Sequence, residues 1–446
     1  MVRHAPTEWW RPDTLSEKDS ETEIQVRPVL ETQDSPVAFW ALMGFLFILL
    51  ISPQTLFPAL APFRVAMLAA GLAMATHVIG RFKRHKPIVE FTREIALVTG
   101  LVTWAILTIP LSYWPGGSIS YLLDIYFKTL IVFWLLSNVV NTLPRLRCMA
   151  WGLCLMSVPL ALTTVKNFVL GAGVNRVDGY NAALTENPND LALMLNLIIP
   201  VCIALFLANQ RVMMRMILAI IIGLNVLAVF TTFSRGGFLT LAIILMTYVW
   251  VLLKRPERGW AYLALFLALV AVPFVPANYT ERLGTITNIE ADETGSAQTR
   301  WSDMITASKY VIQHPVIGAG IGMNILALNE ERGATWTAIH NVYLQYAVEL
   351  GLPGLVMFLL LLKTSYRNIS IVQNYYSGGR NLTEFFYLAE GIRISLIAFV
   401  VAALFYPAGY NFYFYLIAGF AAAAKAIYDA GEKAGMDYAV GNESES

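Results

Sequence analysis

Charged residues are scarce in this sequence. Only 14% of its 446 residues are Asp, Glu, Lys or Arg, whereas 57% are hydrophobic and the mean hydropathy is +0.59. A water-soluble domain carries about a quarter charged residues. The composition therefore predicts an integral membrane protein. The formal net charge of +1 lacks the basic excess of nucleic-acid-binding faces, so we expect no nucleic-acid partner.

Several chemistry-bearing motifs are missing as well. The three cysteines, Cys148, Cys154 and Cys202, all lie in apolar runs and are expected to be small core residues rather than disulfides or metal ligands. No His/Cys cluster or paired acidic motif has metal-ligand spacing, and no glycine-rich loop is followed by the Lys and Ser/Thr that cradle a phosphate. The sequence therefore predicts neither a metal nor another cofactor, and no nucleotide hydrolysis.

Long apolar runs are what the sequence does contain. A membrane-spanning helix needs about 20 predominantly apolar residues. About twelve runs qualify, beginning near Val37, Val65, Glu94, Tyr121, Cys148, Asp190, Val212, Gly237, Trp260, Asn341, Arg393 and Tyr410. The predicted fold is thus all-α and polytopic, with about twelve transmembrane helices. The run from Arg393 to Tyr406 is short, which allows a tilted or re-entrant segment there.

The apolar runs divide the chain into regions. Residues 1–36 are polar and rich in Glu, Asp and Pro, which predicts a disordered cytoplasmic tail. Residues 37–275 carry helices one to nine, and residues 340–428 carry the last three. Between them, residues 276–339 form one long outward loop with an amphipathic stretch from Arg300 to Gln313, while residues 429–446 form a second cytoplasmic tail. A loop of this length is more often functional than a mere connector.

Lys and Arg alternate between the two ends of the predicted spans. Cytoplasmic loops carry the excess of these residues. Basic residues cluster at 81–93, 145–147, 211–215, 254–258 and 363–380. This pattern predicts that those loops and both termini are cytoplasmic. The short outward loops hold only Arg64, Arg176 and Arg235, so an arginine there needs an explanation of its own.

Arg235 follows Ser234 and precedes Gly236 and Gly237, between two apolar runs with almost no loop. The glycines would allow a tight turn and the close approach of another group to the backbone. A guanidinium beside unpaired N–H groups at the start of a helix suits phosphate binding. The alternative is an interfacial arginine that extends toward lipid headgroups. The outward position favours function.

Arg176 also lies in an outward loop, shortly before Pro188 and Asp190, which indicate the start of a helix. A second arginine would suit a diphosphate, whose charge exceeds that of one guanidinium. Pairing of Arg176 with Asp178 or Glu186 in the loop is an equally good interpretation.

His340 and Asn341 stand where the long loop enters the next span. Imidazole titrates near neutral pH, so a histidine at a membrane–water boundary can act as a general base. A lone interfacial histidine is more often an amphipathic surface residue. Glu349 lies further along the same helix, where a buried carboxylate needs a partner, and it is expected to orient other groups rather than react.

Three segments together resemble one family. They are Glu186-Asn187-Pro188-Asn189-Asp190-Leu191-Ala192, Ser234-Arg235-Gly236-Gly237, and His340-Asn341 followed by Leu344, Glu349, Gly351 and Gly354. In this order and topology they resemble the O-antigen ligase and O-antigen polymerase superfamily of bacterial inner-membrane glycosyltransferases. The stretch from His314 to Gly322 resembles the loop pattern of that family.

The resemblance implies a GT-C-like enzyme that works at the periplasmic face of the inner membrane without a metal. Its donor would be a glycan on undecaprenyl diphosphate, and its acceptor a glycan, lipid A core or a protein. His340 would be the catalytic base, and Arg176, Arg235 and Arg300 would bind the diphosphate. The resemblance also implies residues that hold these side chains in place without touching substrate, namely Glu349, Asn341 and Ser234. Membrane lipid would surround the protein.

Two questions stay open at the level of sequence. The first is whether the enzyme is a ligase or a polymerase, because both share donor, leaving group and topology. The modest outward loop has no obvious basic patch for an acceptor, which slightly favours a polymerase of exopolysaccharide or O-antigen.

The second is an alternative from another class of protein, a lipid-linked oligosaccharide flippase or another twelve-span transporter. No internal repeat relates the two halves of the chain, which weakens that alternative.

Overall fold

A computed structural model describes residues 35–171, 187–271, 295–333, 336–377 and 383–444. Within these ranges every regular element is a helix, in agreement with the predicted all-α class. The described residues between 35 and 430 pack as one unit, and residues 431–444 are assigned to a second unit.

Fourteen helices carry the labels used below, in chain order: α1 (Pro36–Ile51), α2 (Val65–Lys83), α3 (Arg93–Thr108), α4 (Pro115–Val139), α5 (Leu143–Leu170), α6 (Pro188–Ala208), α7 (Val212–Thr231), α8 (Arg235–Leu252), α9 (Arg258–Ala271), α10 (Ser296–Gln313), α11 (Asn324–Arg332), α12 (Val342–Tyr375), α13 (Glu384–Ala402) and α14 (Phe412–Ser444). A short helix (Pro53–Leu56) and 3₁₀ turns (Pro58–Phe63, Ile109–Leu111) connect neighbours. A π-helical turn (Leu122–Tyr126) divides α4 into Pro115–Tyr121 and Phe127–Val139.

Nine helices in the described part of the chain are long and apolar enough to cross a membrane: α2 to α8, α12 and α13, with α2 counted from Pro58 and α3 to Leu111. Two shorter apolar helices, Pro36–Ile51 and Arg258–Val270, accompany them. The protein is therefore a multi-pass membrane protein, and the count of twelve spans stays a prediction.

Helix α13 begins earlier than the apolar pattern predicts. The run expected near Arg393 is only its second half, because the helix already starts at Glu384. This first half contains Glu390, whose side chain is buried. Its carboxylate accepts hydrogen bonds from both terminal nitrogens of Arg255 (Nη1 to Oε1, 3.1 Å) and from Gln373 (2.9 Å). A paired carboxylate is tolerable inside the bundle, where an isolated one is not.

The basic segments gather at one end of the bundle. Arg255 just after α8 meets Glu390 in the first half of α13 and Gln373 near the end of α12. Arg147 and Glu384, at the starts of α5 and α13, form an ion pair. These contacts agree with the alternation of charge along the sequence.

Three helices begin at the opposite end, α6, α8 and α12, and the segment Ala403–Asn411 between α13 and α14 connects two of these starts. The Val342 N–H donates to the Ala403 carbonyl (2.8 Å), and the Ser234 hydroxyl lies 3.2 Å from that of Tyr406. The first half of α6 packs on the start of α8, where Asn196 donates to the Gly237 carbonyl (2.9 Å). The positive ends of three helix dipoles therefore lie at this end.

Helix α12 is interrupted at Gly351, whose φ of 68° is left-handed and suits glycine. The segment His314–Gly322 fills the break. Ala319 N–H donates to the Val348 carbonyl (2.7 Å), Gly320 N–H to the Glu349 carbonyl (2.9 Å), and Leu352 N–H to the Pro315 carbonyl (2.8 Å). The interrupted helix thus binds the segment that links α10 to α11.

Candidate functional site

His340 lies directly before α12, partly buried. Its Nδ1 atom is shielded from solvent and makes no hydrogen bond with any described residue. Burial, and then the nearby Arg300 guanidinium, lower the pKa of His340 to about 4, against a smaller opposing effect of a hydrogen bond to the Ala338 carbonyl. The imidazole is therefore neutral at physiological pH and has a ring nitrogen available to take a proton.

Arg300 is in the first turns of α10, close enough to His340 to act on its pKa. The same helix buries Asp303, whose carboxylate pairs with Arg332 at the end of α11. Both side chains of that pair are almost fully shielded, so it holds α10 and α11 together in a region of low dielectric constant. Arg332 also contributes, after Arg300, to lowering the pKa of His340. Two guanidinium groups thus lie near the imidazole.

The segment that leads into His340 is held from two sides. Arg332 donates a hydrogen bond to the Thr337 carbonyl. The Asn324 Oδ1 atom accepts one from the Ile339 N–H (3.2 Å). Because Asn324 and Arg332 are the first and last residues of α11, this short helix fixes the backbone immediately before the histidine.

Glu349 has no exposed surface. Its carboxylate accepts hydrogen bonds from the Gly322 N–H (2.8 Å) and from the Asn324 side-chain amide. The carboxylate is thereby connected through Asn324 to the backbone beside His340. That Glu349 orients other groups stays a prediction.

Asn341 and Ser234 cap helices. The Asn341 Oδ1 atom accepts a hydrogen bond from the Leu344 N–H (3.0 Å) at the start of α12, and the Ser234 hydroxyl accepts one from the Gly237 N–H (3.1 Å) at the start of α8. Such caps satisfy N–H groups that have no partner within the helix and fix where it begins. Asn341 therefore sets the position of His340, and Ser234 sets that of Arg235.

Arg235 is the first residue of α8 and is partly buried. The turn before it is made by Phe233, whose φ is 51°, and not by the glycines, so that part of the sequence interpretation was wrong. Gly236 and Gly237 instead permit close packing. A Cβ atom would lie 2.9 Å from the Phe405 Cβ at Gly236 and 2.8 Å from the Ala192 Cβ at Gly237. This close packing sets the start of α8 against α6 and the segment Ala403–Asn411.

Arg176, predicted to bind diphosphate, lies outside the described residues. The helix predicted to follow it is present as α6, which begins at Pro188 with its cap at Asn187, where the side chain accepts a hydrogen bond from the Asn189 N–H (2.9 Å). The start of this helix is at the same end of the bundle as Arg235.

The structure brings His340, Arg300 and Glu349 into one hydrogen-bonded and electrostatic neighbourhood. It places Arg235 at the same end, where Val342 beside His340 and Ser234 beside Arg235 contact the segment Ala403–Asn411. Sequence reasoning missed Asp303, Asn324 and Arg332. Arg332 follows Glu330 and Glu331 in a polar loop, a pattern that reads as surface charge and gives no signal of burial. Among the described residues, no group of three or more His, Cys, Asp or Glu could hold a metal ion.

Comparison with known families bears on this neighbourhood directly. Residues 217–359 match the family model described as O-antigen ligase. The match contains Arg235, Arg300, His340 and Glu349, and it confirms the resemblance found from the sequence motifs. No curated protein matches the chain. The family match supports ligase- or polymerase-type activity in general, which involves a lipid-linked glycan donor and a glycan or lipid A core acceptor.

Proposed function

We propose that this membrane protein, whose residues 217–359 match the O-antigen ligase family model, is an inverting, metal-independent glycosyltransferase of the O-antigen ligase and polymerase superfamily. It would move a glycan from undecaprenyl diphosphate to an acceptor hydroxyl. The observation that carries the proposal is the neutral His340, with a buried ring nitrogen that has no partner among the described residues, beside the Arg300 guanidinium. A base adjacent to a cation suits a reaction in which a hydroxyl loses a proton while a diphosphate departs.

In the proposed reaction, His340 accepts the proton of the acceptor hydroxyl. The hydroxyl oxygen forms the new bond to the anomeric carbon, and the bond from that carbon to the diphosphate oxygen breaks. The electron pair leaves with undecaprenyl diphosphate, and attack from the opposite face inverts the anomeric configuration. Atoms and charge balance without a metal or another cofactor.

Arginine and helix dipoles would stabilise the departing charge. Arg300 is near His340, and Arg235 begins α8, one of three helices whose positive ends lie at this end of the bundle. Arg176 is proposed as a further ligand of the diphosphate. Preorganised donors of this kind each contribute about 2.7–4 kcal/mol in other enzymes, where they are aimed at the charge that develops in the transition state.

Donor binding should also raise the pKa of His340. A pKa of about 4 makes the imidazole a weak base in the empty site. A diphosphate next to Arg300 would offset the positive potential of the guanidinium and raise the pKa of His340 toward the pH at which the reaction runs. The base would thus gain strength when the donor is present.

The site would face the periplasm of the bacterial inner membrane. The basic segments cluster at the end of the bundle opposite His340, and basic loops favour the cytoplasm. Both termini would then be cytoplasmic, and the region 276–339 would be the periplasmic loop. The overall class would be GT-C-like.

The proposal is tested by reconstitution in liposomes with an undecaprenyl-diphosphate-linked oligosaccharide and a chelator. Wild type is compared with Arg235→Ala. Arg64→Ala serves as a control because Arg64 is exposed and directly precedes α2, which packs chiefly on α1. We expect transfer by wild type and by the control, and loss in Arg235→Ala without loss of the folded state. Elongated donor glycan identifies a polymerase, and transfer to added lipid A core or protein identifies a ligase. Movement of intact donor across the bilayer without transfer would instead identify a flippase.

A further inference from the structure

Helix α10 has two faces of different chemistry. One face packs inward through Asp303, Ala307 and Tyr310, which are buried. The other exposes large apolar side chains: Trp301 is 57% exposed, Ile305 43% and Ile312 79%. The spacing 301, 305 and 312 follows the helical repeat, so these side chains form one stripe. We call Trp301, Ile305 and Ile312 the apolar stripe.

The apolar stripe continues into the surface of a membrane-spanning helix. After α10 the chain exposes Val316 and Ile317, and the Pro315 carbonyl accepts a hydrogen bond from Leu352 N–H in α12. Leu352 and the following Val356 are themselves exposed on α12. Exposed apolar residues on a spanning helix contact lipid, so the stripe borders on a surface that is already in the membrane.

The length of α12 indicates the depth of this junction. At about 1.5 Å per residue, the apolar part from Leu352 to Leu362 is about 16 Å long, and the exposed Lys363 and Arg367 that follow it can extend their long side chains to the cytoplasmic surface. Since the hydrocarbon is about 30 Å thick, the break at Gly351 lies in the outer half of the bilayer. Helix α10, joined to that break by His314–Gly322, is then beside the outer leaflet.

We propose that α10 lies on the outer-leaflet lipid surface, with Trp301, Ile305 and Ile312 at the boundary between headgroups and acyl chains. Tryptophan is enriched at this depth in membrane proteins, and amphipathic helices lie on bilayers in this way. Lys309, exposed beside the stripe, suits contact with anionic headgroups.

The lipid contact gives α10 a role in the reaction, and this role rests on the proposed function. Arg300 precedes Trp301, so its side chain leaves the helix about 100° away from that of Trp301. With Trp301 pointing toward the acyl chains, Arg300 would point along the membrane surface. The helix would therefore hold Arg300 at headgroup level, where the diphosphate of a lipid-linked donor lies. The donor could reach the arginine by lateral diffusion without leaving the bilayer.

The test uses an environment-sensitive fluorophore on single cysteines, in a variant that carries Cys148→Ala because Cys148 is partly accessible. Labels are placed by Ile305→Cys and Ile312→Cys, with Ser302→Cys and Gln313→Cys as controls on the exposed polar flank of the same helix. The proteins are reconstituted in nanodiscs of phosphatidylethanolamine and phosphatidylglycerol, with or without lipids that carry a nitroxide near the headgroup.

We expect the nitroxide lipids to quench the labels at 305 and 312 by about half or more, and those at 302 and 313 at least fivefold less. Equal quenching of all four by aqueous iodide, with none by the lipids, would overturn the proposal. A blue-shifted emission at 305 and 312 without lipid quenching would overturn it too, since it would point to a second protein copy. Because quenching is measured without substrate, loss of glycan transfer alone would count against the proposed function and not against the lipid contact.

Discussion

Asn324 joins the buried carboxylate of Glu349 to the backbone that precedes His340. Its amide nitrogen donates to Glu349, and its amide oxygen accepts a hydrogen bond from the Ile339 N–H (3.2 Å). The carboxylate is held in turn by the Gly322 N–H (2.8 Å). Since Glu349, Asn324 and Ile339 are buried, each depends on the others for a partner. The position of His340 therefore depends on residues that need not touch substrate.

Replacement of Asn324 by Ala tests this dependence. The change leaves the Ile339 N–H and one carboxylate oxygen without their partner, at a cost of about 1–3 kcal/mol for each buried group. A displacement of the imidazole by about 1 Å can reduce the rate on the order of 10²-fold. We expect Asn324→Ala to lower kcat strongly and KM for the donor little, as measured by initial rates in liposomes.

Asn329→Ala is the matched control. Asn329 is in the same helix and binds the same segment, through the Trp336 N–H (3.2 Å), but on the exposed side. This variant should keep most of the activity. An equal fall of kcat in both variants would show that the rate reflects the general stability of α11 and not the contact with Glu349.

The pH dependence of transfer reports the environment of His340. A base works when it is unprotonated, so the rate falls as the pH drops through its pKa. Because kcat/KM reports the free enzyme, the acid limb of its pH profile, where kcat/KM falls at low pH, should lie near pH 4. The acid limb of kcat reports the donor complex and should lie at higher pH, since the bound diphosphate offsets the Arg300 charge. Parallel pH titrations of both constants check this order.

Arg300→Gln removes the guanidinium that helps to lower the pKa of His340. In this variant, the pH below which kcat/KM falls should move from about 4 toward the ordinary histidine pKa of 6.5. Arg300→Lys keeps the charge and should leave the limb near that of wild type. An unchanged limb in Arg300→Gln would mean that the titrating group is not beside this arginine.

The buried pair of Asp303 and Arg332 should matter for stability. Asp303→Asn leaves the Arg332 guanidinium without its charge partner in a shielded place, which costs about 3–5 kcal/mol when such pairs are broken. The corresponding change Asp429→Asn removes an exposed partner of Lys425 and should cost only about 0.3–0.5 kcal/mol. Thermal unfolding in detergent distinguishes them. A similar melting temperature for both variants would contradict the buried placement of Asp303.

Gly351→Ala tests the break in α12. Its φ of 68° disfavours other residues, and an added Cβ atom would lie 2.2 Å from the Val316 carbonyl oxygen. We expect a lower melting temperature and weaker activity, because the segment His314–Gly322 must move away from the helix. Gly223→Ala makes the same change in α7, where nothing lies within 4 Å, and should be neutral or slightly stabilising. Equal stability of the two variants would rule out the close packing at Gly351.

The sequence predicts those features of the fold that depend on a long apolar run or on the type of a single residue. Apolar runs identified the spanning helices, and their order along the chain placed Arg235 and His340 at helix starts. The start of α13 at Glu384 was not predicted. Its first half contains the buried Glu390, whose partners Arg255 and Gln373 lie far away in the chain.

The supporting residues of the site could not be predicted for the same reason. Asn324 meets Glu349 and Ile339, and Asp303 meets Arg332, only after the loop has folded back on α12. Each of these side chains has an ordinary polar neighbourhood in sequence. The partner that makes a buried polar group stable is a property of tertiary contact, which composition and periodicity do not record.

The most direct test of the account measures undecaprenyl diphosphate released and glycan transferred in the same liposomes, for wild type and for His340→Gln. The account predicts one diphosphate-lipid released for each glycan transferred by wild type, and a fall of both by about 10²-fold to 10⁴-fold in His340→Gln at an unchanged melting temperature. Transfer by His340→Gln at the wild-type rate would contradict the assignment of His340 as the base on which the proposed function rests.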